Sequence, residues 1–124
     1  MKKKIAILGS TGSIGKTLIS ILKKDKNNIE ITLLTINKNY SELIKQVNIF
    51  DVKNIIITNQ KSYLIAKKKL KDNKINIYNN YKSLDKIFKK KVDYLMSSIT
   101  SLEGLNPTLE YIKFTKLIAI ANKE

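Results

Sequence analysis

A chain of 124 residues has room for one domain with a sizeable core, but it is short for a whole two-substrate enzyme. It contains neither cysteine nor histidine. This excludes disulfides, thiolate metal sites, imidazole catalysis and histidine metal ligation, so that any general base must be Lys, Asp, Glu or Tyr. The formal charge of +14 comes from lysine alone, and the absence of arginine, the preferred bidentate reader of phosphate and guanine, argues against a surface built for nucleic acid.

Met1 and three lysines precede a short apolar run, Ile5-Ala6-Ile7-Leu8, which reads as a first strand. A glycine-rich segment follows before the apolar region of a signal peptide could be completed, and no later stretch is long enough to span a bilayer. The expectation is a cytoplasmic protein with no membrane role.

The strand breaks into Gly9-Ser10-Thr11-Gly12-Ser13-Ile14-Gly15 and then into a helix pattern with Ile14, Leu18, Ile21 and Leu22 on one face. Glycines three apart allow a sharp turn, close approach to a pyrophosphate and packing of helix on strand. The helix N-terminus adds unpaired N–H groups and a partial positive charge. Strand, glycine loop and helix in that order are the context a dinucleotide fingerprint requires. The competing reading, a plain turn with Thr11 and Ser13 as turn formers, lacks an account of that order.

Gly15-Lys16-Thr17 also resembles the end of a P-loop, but that motif needs glycine at position 10, which is Ser10, and Gly9 makes the loop one residue too long. Asp93 moreover opens a strand, the wrong end for a magnesium-binding carboxylate.

Beyond the first helix, Ile29 to Ile36 reads as a second strand ending in Asn37-Lys38-Asn39, and Ser41 to Phe50 as a helix. Val52 to Thr58 is a buried third strand, followed by a lysine-rich helix from Ser62 to Leu70 resting on Leu64, Ile65 and Leu70. Ile75 to Tyr78 is a short strand, Leu84, Ile87 and Phe88 mark a helix, and Val92 to Met96 is a buried strand ending at Ser97-Ser98. Asn106 caps a helix with Pro107 at its first position, carried on by Leu109 and Ile112, before a last strand from Leu117 to Ala121. Lysine runs at 67–69 and 89–91 read as solvated helix ends. Strands alternating with helices predict an α/β fold: a Rossmann-like, doubly wound, mainly parallel sheet with helices on both faces.

An NAD-specific fold places Asp or Glu at the end of the second strand to hold the ribose 2′-hydroxyl. Here that place is taken by Asn37-Lys38-Asn39, a lysine between two amides, which suits a 2′-phosphate and favours NADP over NAD. The competing reading of Lys38 is an ordinary loop lysine.

The glycine segment, Asn37-Lys38-Asn39, Gly104-Leu105 with Pro107-Thr108-Leu109, and the closing Ala119 with Ala121-Asn122-Lys123-Glu124 occur in an order that resembles the N-terminal NADPH-binding domain of 1-deoxy-D-xylulose 5-phosphate reductoisomerases. The resemblance runs the length of the chain. It implies an enzyme that rearranges 1-deoxy-D-xylulose 5-phosphate and reduces the resulting aldehyde with NADPH to 2-C-methyl-D-erythritol 4-phosphate, a step of non-mevalonate isoprenoid synthesis using Mg²⁺ or Mn²⁺.

By that resemblance Thr11, Gly12, Ser13 and Ile14 line the pyrophosphate. Asn37, Lys38 and Asn39 lie at the adenosine 2′-phosphate, Asn122 and Glu124 on the nicotinamide side, and Lys123 meets the sugar phosphate substrate. Two departures stand out: Asn37 replaces a family glycine, and Ser101 and Glu103 add bulk and a carboxylate to a loop that is small in the family. In the family the metal-binding carboxylates, most substrate residues and a C-terminal helical part follow the Ala-Asn-Lys-Glu motif. Residues 1–124 are therefore expected to be the cofactor domain of a longer homodimeric enzyme, a fragment that binds NADPH weakly at best and does not turn over. The alternative is a stand-alone NADP-binding or redox-sensing module without catalysis.

Overall fold

Apolar residues on both faces of a strand demand cover on both faces, and the first three strands of this chain carry them. The computed structural model describes residues 2–71, 73–82, 84–88, 91–98 and 115–120. In it β1 (Lys3–Leu8), β2 (Ile29–Ile36), β3 (Val52–Ile57), β4 (Asn76–Tyr78), β5 (Val92–Ser97) and β6 (Thr115–Ile120) form one sheet. The order is β4-β3-β2-β1-β5-β6 and every pairing is parallel. The doubly wound sheet expected from the alternating pattern is thus present.

Along β1 the side chains alternate between two cores. Ile5 and Ile7 join Ile19, Leu43, Val47 and Ala66 on one face, which α1 (Ser13–Lys23), α2 (Tyr40–Ile49) and α3 (Gln60–Lys69) cover. Ala6 and Leu8 join Leu84, Ile87 and Phe88 on the other, where the short α4 (Leu84–Ile87) packs. In β2 the alternation changes phase: Ile5 pairs with Ile31 but Ala6 with Leu33, so Thr32 is an extra residue. Odd-numbered Ile31 and even-numbered Leu34 and Ile36 consequently share one face, while Leu33 turns to the other. This bulge accounts for the break in the apolar/polar alternation of β2 at Leu33-Leu34.

Two helix faces differ from the expected ones. Ile21 is 58% exposed and Leu64 50% exposed. In α1 the sheet-facing residues are Gly15 and Ile19, because the glycine loop brings Gly15 down onto the loop backbone and so sets the rotation of the helix. In α3 the small residues Ser62 and Ala66 face inward. The Ser62 hydroxyl donates to the Lys38 carbonyl at 2.9 Å, which fixes that orientation and lets the helix approach closely. Lys67, Lys68 and Lys69 occupy the last turn of α3, exposed, as expected; Lys91 is exposed and Lys89 and Lys90 lie outside the described residues. The helix expected over Asn106, Pro107, Leu109 and Ile112 also lies outside them.

Asp93 opens β5, at the sheet edge opposite the glycine loop. Its Oδ2 accepts from the Lys4 amide at 2.8 Å and its Oδ1 lies 3.4 Å from Lys116 Nζ. The Lys4 amide first, and the neighbouring lysine charges after it, hold the Asp93 carboxyl below its usual range. A depressed folded-state value stabilises the fold above the unfolded value, and the contribution is lost as pH falls through the folded one. Asp93→Ala is therefore expected to lower the melting temperature at neutral pH, with the gap from the parent chain closing on acidification and narrowing in salt. Thermal denaturation followed by circular dichroism across a pH series checks this.

Candidate functional site

β1 sits inside the sheet with β2 on one side and β5 on the other. The chain leaves β1 towards β2 and later returns to the far side of β1, so the C-terminal ends of β1 and β5 bound the switch point where ligands of open parallel sheets bind. The glycine segment lies there.

Its shape follows from a few contacts. Gly9 has φ of 76°, a left-handed conformation that side chains strain to adopt. Its amide donates to the Thr35 carbonyl at 2.9 Å and to Thr35 Oγ1 at 3.1 Å, and the Ser10 amide donates to the same carbonyl at 3.1 Å. From the other side, the Ser98 amide donates to the Leu8 carbonyl at 2.9 Å, and its hydroxyl lies 3.0 Å from that oxygen and 2.6 Å from the Gly9 oxygen. Gln46 of α2 reaches in from the core, its Nε2 donating to the Ser10 carbonyl at 2.8 Å.

Gly15 closes the cradle. A Cβ there would collide with the Gly9 carbonyl oxygen and lie 2.6 Å from the Ser10 carbonyl carbon and 2.7 Å from its Cα, whereas one at Gly12 would meet nothing nearer than the Gly9 oxygen at 3.8 Å. The first turn of α1 has Gly12 as its N-cap, no side-chain cap and no acidic residue. By contrast, Asn39 and Asn59 cap α2 and α3 through their side chains. The helix end that borders the loop thus keeps N–H donors and its partial positive charge free of a protein counter-charge, the chemistry that suits a phosphate. Thr11 and Ile14 are half-buried, and Gly12 and Ser13 are exposed.

Leu8 pairs with Thr35 across β1 and β2, which puts the turn at Asn37-Lys38-Asn39 on the same sheet edge. That turn is tied down by its neighbours. Thr58 Oγ1 donates to Asn37 Oδ1 at 3.0 Å, the Asn59 amide to the Asn37 carbonyl at 3.2 Å, and the Tyr40 amide to the Lys38 carbonyl at 2.8 Å. Asn39 Oδ1 accepts from the Glu42 amide at 3.2 Å. The amide oxygens of Asn37 and Asn39 are therefore spent on structure, while Lys38 is exposed and makes no ion pair among the described residues.

β6 ends at Ile120 opposite Ser97, on this same edge. Asn122, Lys123 and Glu124 lie outside the described residues, as do Ser101 and Glu103. Among the described residues no group of three or more His, Cys, Asp or Glu could hold a metal ion.

Four supporting residues escaped the sequence reading. Thr35 and Ser98 bind the loop backbone. Tyr81 donates to Thr35 Oγ1 at 3.4 Å, and burial pushes its phenol up, so it stays a neutral donor. Gln46 carried a visible signal, a polar residue on the apolar side of α2 beside Leu43 and Val47. Thr35 and Ser98 carried only a weak one, hydroxyls at or just past the ends of buried strands.

The steric contrast between the two glycines is directly measurable. Gly15→Ala must displace the Ser10 backbone and is expected to destabilise the fold by about 1–3 kcal/mol. Gly12→Ala is expected to stay within about 0.5 kcal/mol of the parent, both read from urea denaturation.

The family model for 1-deoxy-D-xylulose 5-phosphate reductoisomerase matches residues 5–124. The protein of that name from Pelagibacter ubique (strain HTCC1062) is 58% identical over 124 residues, which take in 98% of this chain and 32% of that protein. The structure of 1-deoxy-D-xylulose 5-phosphate reductoisomerase from Zymomonas mobilis in complex with NADPH superposes with a TM-score of 0.87 over 98% of this chain and 32% of its own, at 24% identity, a likeness of fold. A DOX-P reductoisomerase in complex with NADPH, fosmidomycin and magnesium gives a TM-score of 0.84 at 28% identity, covering 97% of this chain and 30% of that one. The chain spans about a third of the length of the curated relatives it matches. A glycine cradle at the switch point of a parallel sheet, and a family match over nearly the whole chain, place it together in the 1-deoxy-D-xylulose 5-phosphate reductoisomerase family.

Proposed function

We propose that residues 1–124 form the NADPH-binding domain of an enzyme that converts 1-deoxy-D-xylulose 5-phosphate to 2-C-methyl-D-erythritol 4-phosphate in non-mevalonate isoprenoid synthesis. The observation that carries the reading is the pairing of two features on one sheet edge. An uncapped helix end with a glycine cradle stands beside a clamped turn whose lysine is exposed.

In this reading Thr11, Gly12, Ser13 and Ile14 surround the pyrophosphate through backbone N–H groups and small side chains. Lys38 neutralises the 2′-phosphate, with Asn37 and Asn39 holding the turn that presents it. Asn122 and Glu124 lie on the nicotinamide side and Lys123 meets the phosphate of the substrate. Bound NADPH supplies the hydride; the residues of this chain bind it, orient it and keep its phosphates paired. The Mg²⁺ or Mn²⁺ of the family is assigned to carboxylates that follow the Ala-Asn-Lys-Glu motif in the family. The complete enzyme is taken to be a cytoplasmic homodimer without nucleic-acid or membrane partners; no helix among the described residues is long and apolar enough to cross a membrane.

Calorimetric titration of the folded chain with NADPH and NADH tests this. NADPH is expected to bind more tightly. Lys38→Ala is expected to weaken NADPH roughly ten-fold, the worth of one charge-assisted contact, and to leave NADH unchanged. Gly12→Ala, which leaves the fold undisturbed, is expected to weaken both cofactors because its Cβ occupies the space of the pyrophosphate. Equal affinity for the two cofactors, or indifference to Lys38→Ala, overturns the 2′-phosphate assignment. Absence of heat with either overturns cofactor binding by this chain.

A further inference from the structure

Gln46 is 1% exposed on the inner side of α2, in the company of Leu43 and Val47. A carboxamide there costs free energy unless it is bonded, and an unbranched apolar side chain such as methionine would fill the same space without that cost. Packing therefore does not account for glutamine at this position. What it does is reach across 36 residues of sequence to the phosphate loop, where Nε2 donates to the Ser10 carbonyl at 2.8 Å. At the same junction Gln46 Oε1 and Ser10 Oγ are both buried without a hydrogen-bond partner among the described residues. One is an acceptor and the other a donor, left over on the two residues already joined.

We propose that Gln46 is a positioning residue that aims the phosphate loop. A trans peptide is planar, with its C=O and N–H pointing in opposite directions. Holding the Ser10 carbonyl against α2 therefore turns the Thr11 N–H away from the core, to the side on which Gly12 and Ser13 are exposed. That is also the side of the open first turn of α1, so the Thr11 donor joins the helix donors in one anion-facing set. The Thr35 and Ser98 bonds hold Leu8, Gly9 and the Ser10 amide, whereas Gln46 holds the next peptide along, which neither of them reaches. That the anion is the pyrophosphate of NADPH rests on the function proposed above; the clamp itself does not.

Hydrogen exchange of the free chain by NMR separates the two. The chain has two glutamines, Gln46 and the exposed Gln60. In the unaltered chain the side-chain amide protons of Gln46 are expected to exchange more slowly than those of Gln60. Equal rates overturn the proposal without recourse to any variant. In Gln46→Met, and in Gln46→Asn, whose amide is too short to reach, release of the Ser10 carbonyl loosens that residue, so the Ser10 amide is expected to exchange roughly ten-fold faster while those of β3 keep their rates. Unchanged loop exchange in a folded variant overturns the clamp. In parallel, Gln46→Met is expected to weaken NADPH roughly ten-fold at a temperature at which the variant is fully folded. Quickened loop exchange with undiminished NADPH affinity overturns the positioning role. If the parent chain does not bind NADPH, the cofactor reading falls and the exchange comparison still decides the clamp.

Discussion

The shape of the glycine loop depends on the hydrogen bonds that converge on the backbone of Leu8, Gly9 and Ser10 as it leaves β1. Thr35 takes the amides of Gly9 and Ser10, Ser98 binds the carbonyls of Leu8 and Gly9, and Gln46 binds that of Ser10. These partners come from β2, the end of β5 and α2, on three sides of the loop. An irregular segment buried at its root needs such partners, because each unpaired backbone group costs about as much as several favourable contacts return. The loop is therefore built by its surroundings, and its glycines only make that construction sterically possible.

The parallel sheet supplies the frame for those partners. β1 has its side chains in two cores at once, so it cannot shift or rotate without exposing one of them. The bulge at Thr32 then adjusts the phase of β2 so that Leu34 and Ile36 face the helices α1 to α3. Thr35, between them, lies at the register position opposite Leu8. A sheet device some distance from the loop in this way sets where the loop's main acceptor stands.

Electrostatics in the site are local rather than global. The overall charge of +14 comes from lysines distributed along the whole sequence and says little about a ligand. The distinction lies in the helix ends: Asn39 and Asn59 cap α2 and α3, whereas α1 starts without a side-chain cap. The same asparagine that caps α2 also completes the turn carrying Lys38, so capping and presentation of the charge are one structural act.

Much of this was legible in the amino-acid order, because strand and helix periodicity and the glycine spacing are local properties. All six strands, the alternation that makes the sheet parallel, the glycine loop after β1 and the lysine turn after β2 follow from short-range patterns. The helix faces did not. Ile21 and Leu64 read as buried and are exposed, since the rotation of α1 is set by Gly15 against Ser10 and that of α3 by Ser62 against Lys38. Nor did the sequence announce Thr35, Ser98 or Gln46 as partners of one loop, for they come from segments 26 to 90 residues away from it. Periodicity and glycine spacing determined which elements form and that a glycine loop follows β1; only tertiary packing, which brings distant polar groups to one unpaired backbone, decided what holds that loop in shape.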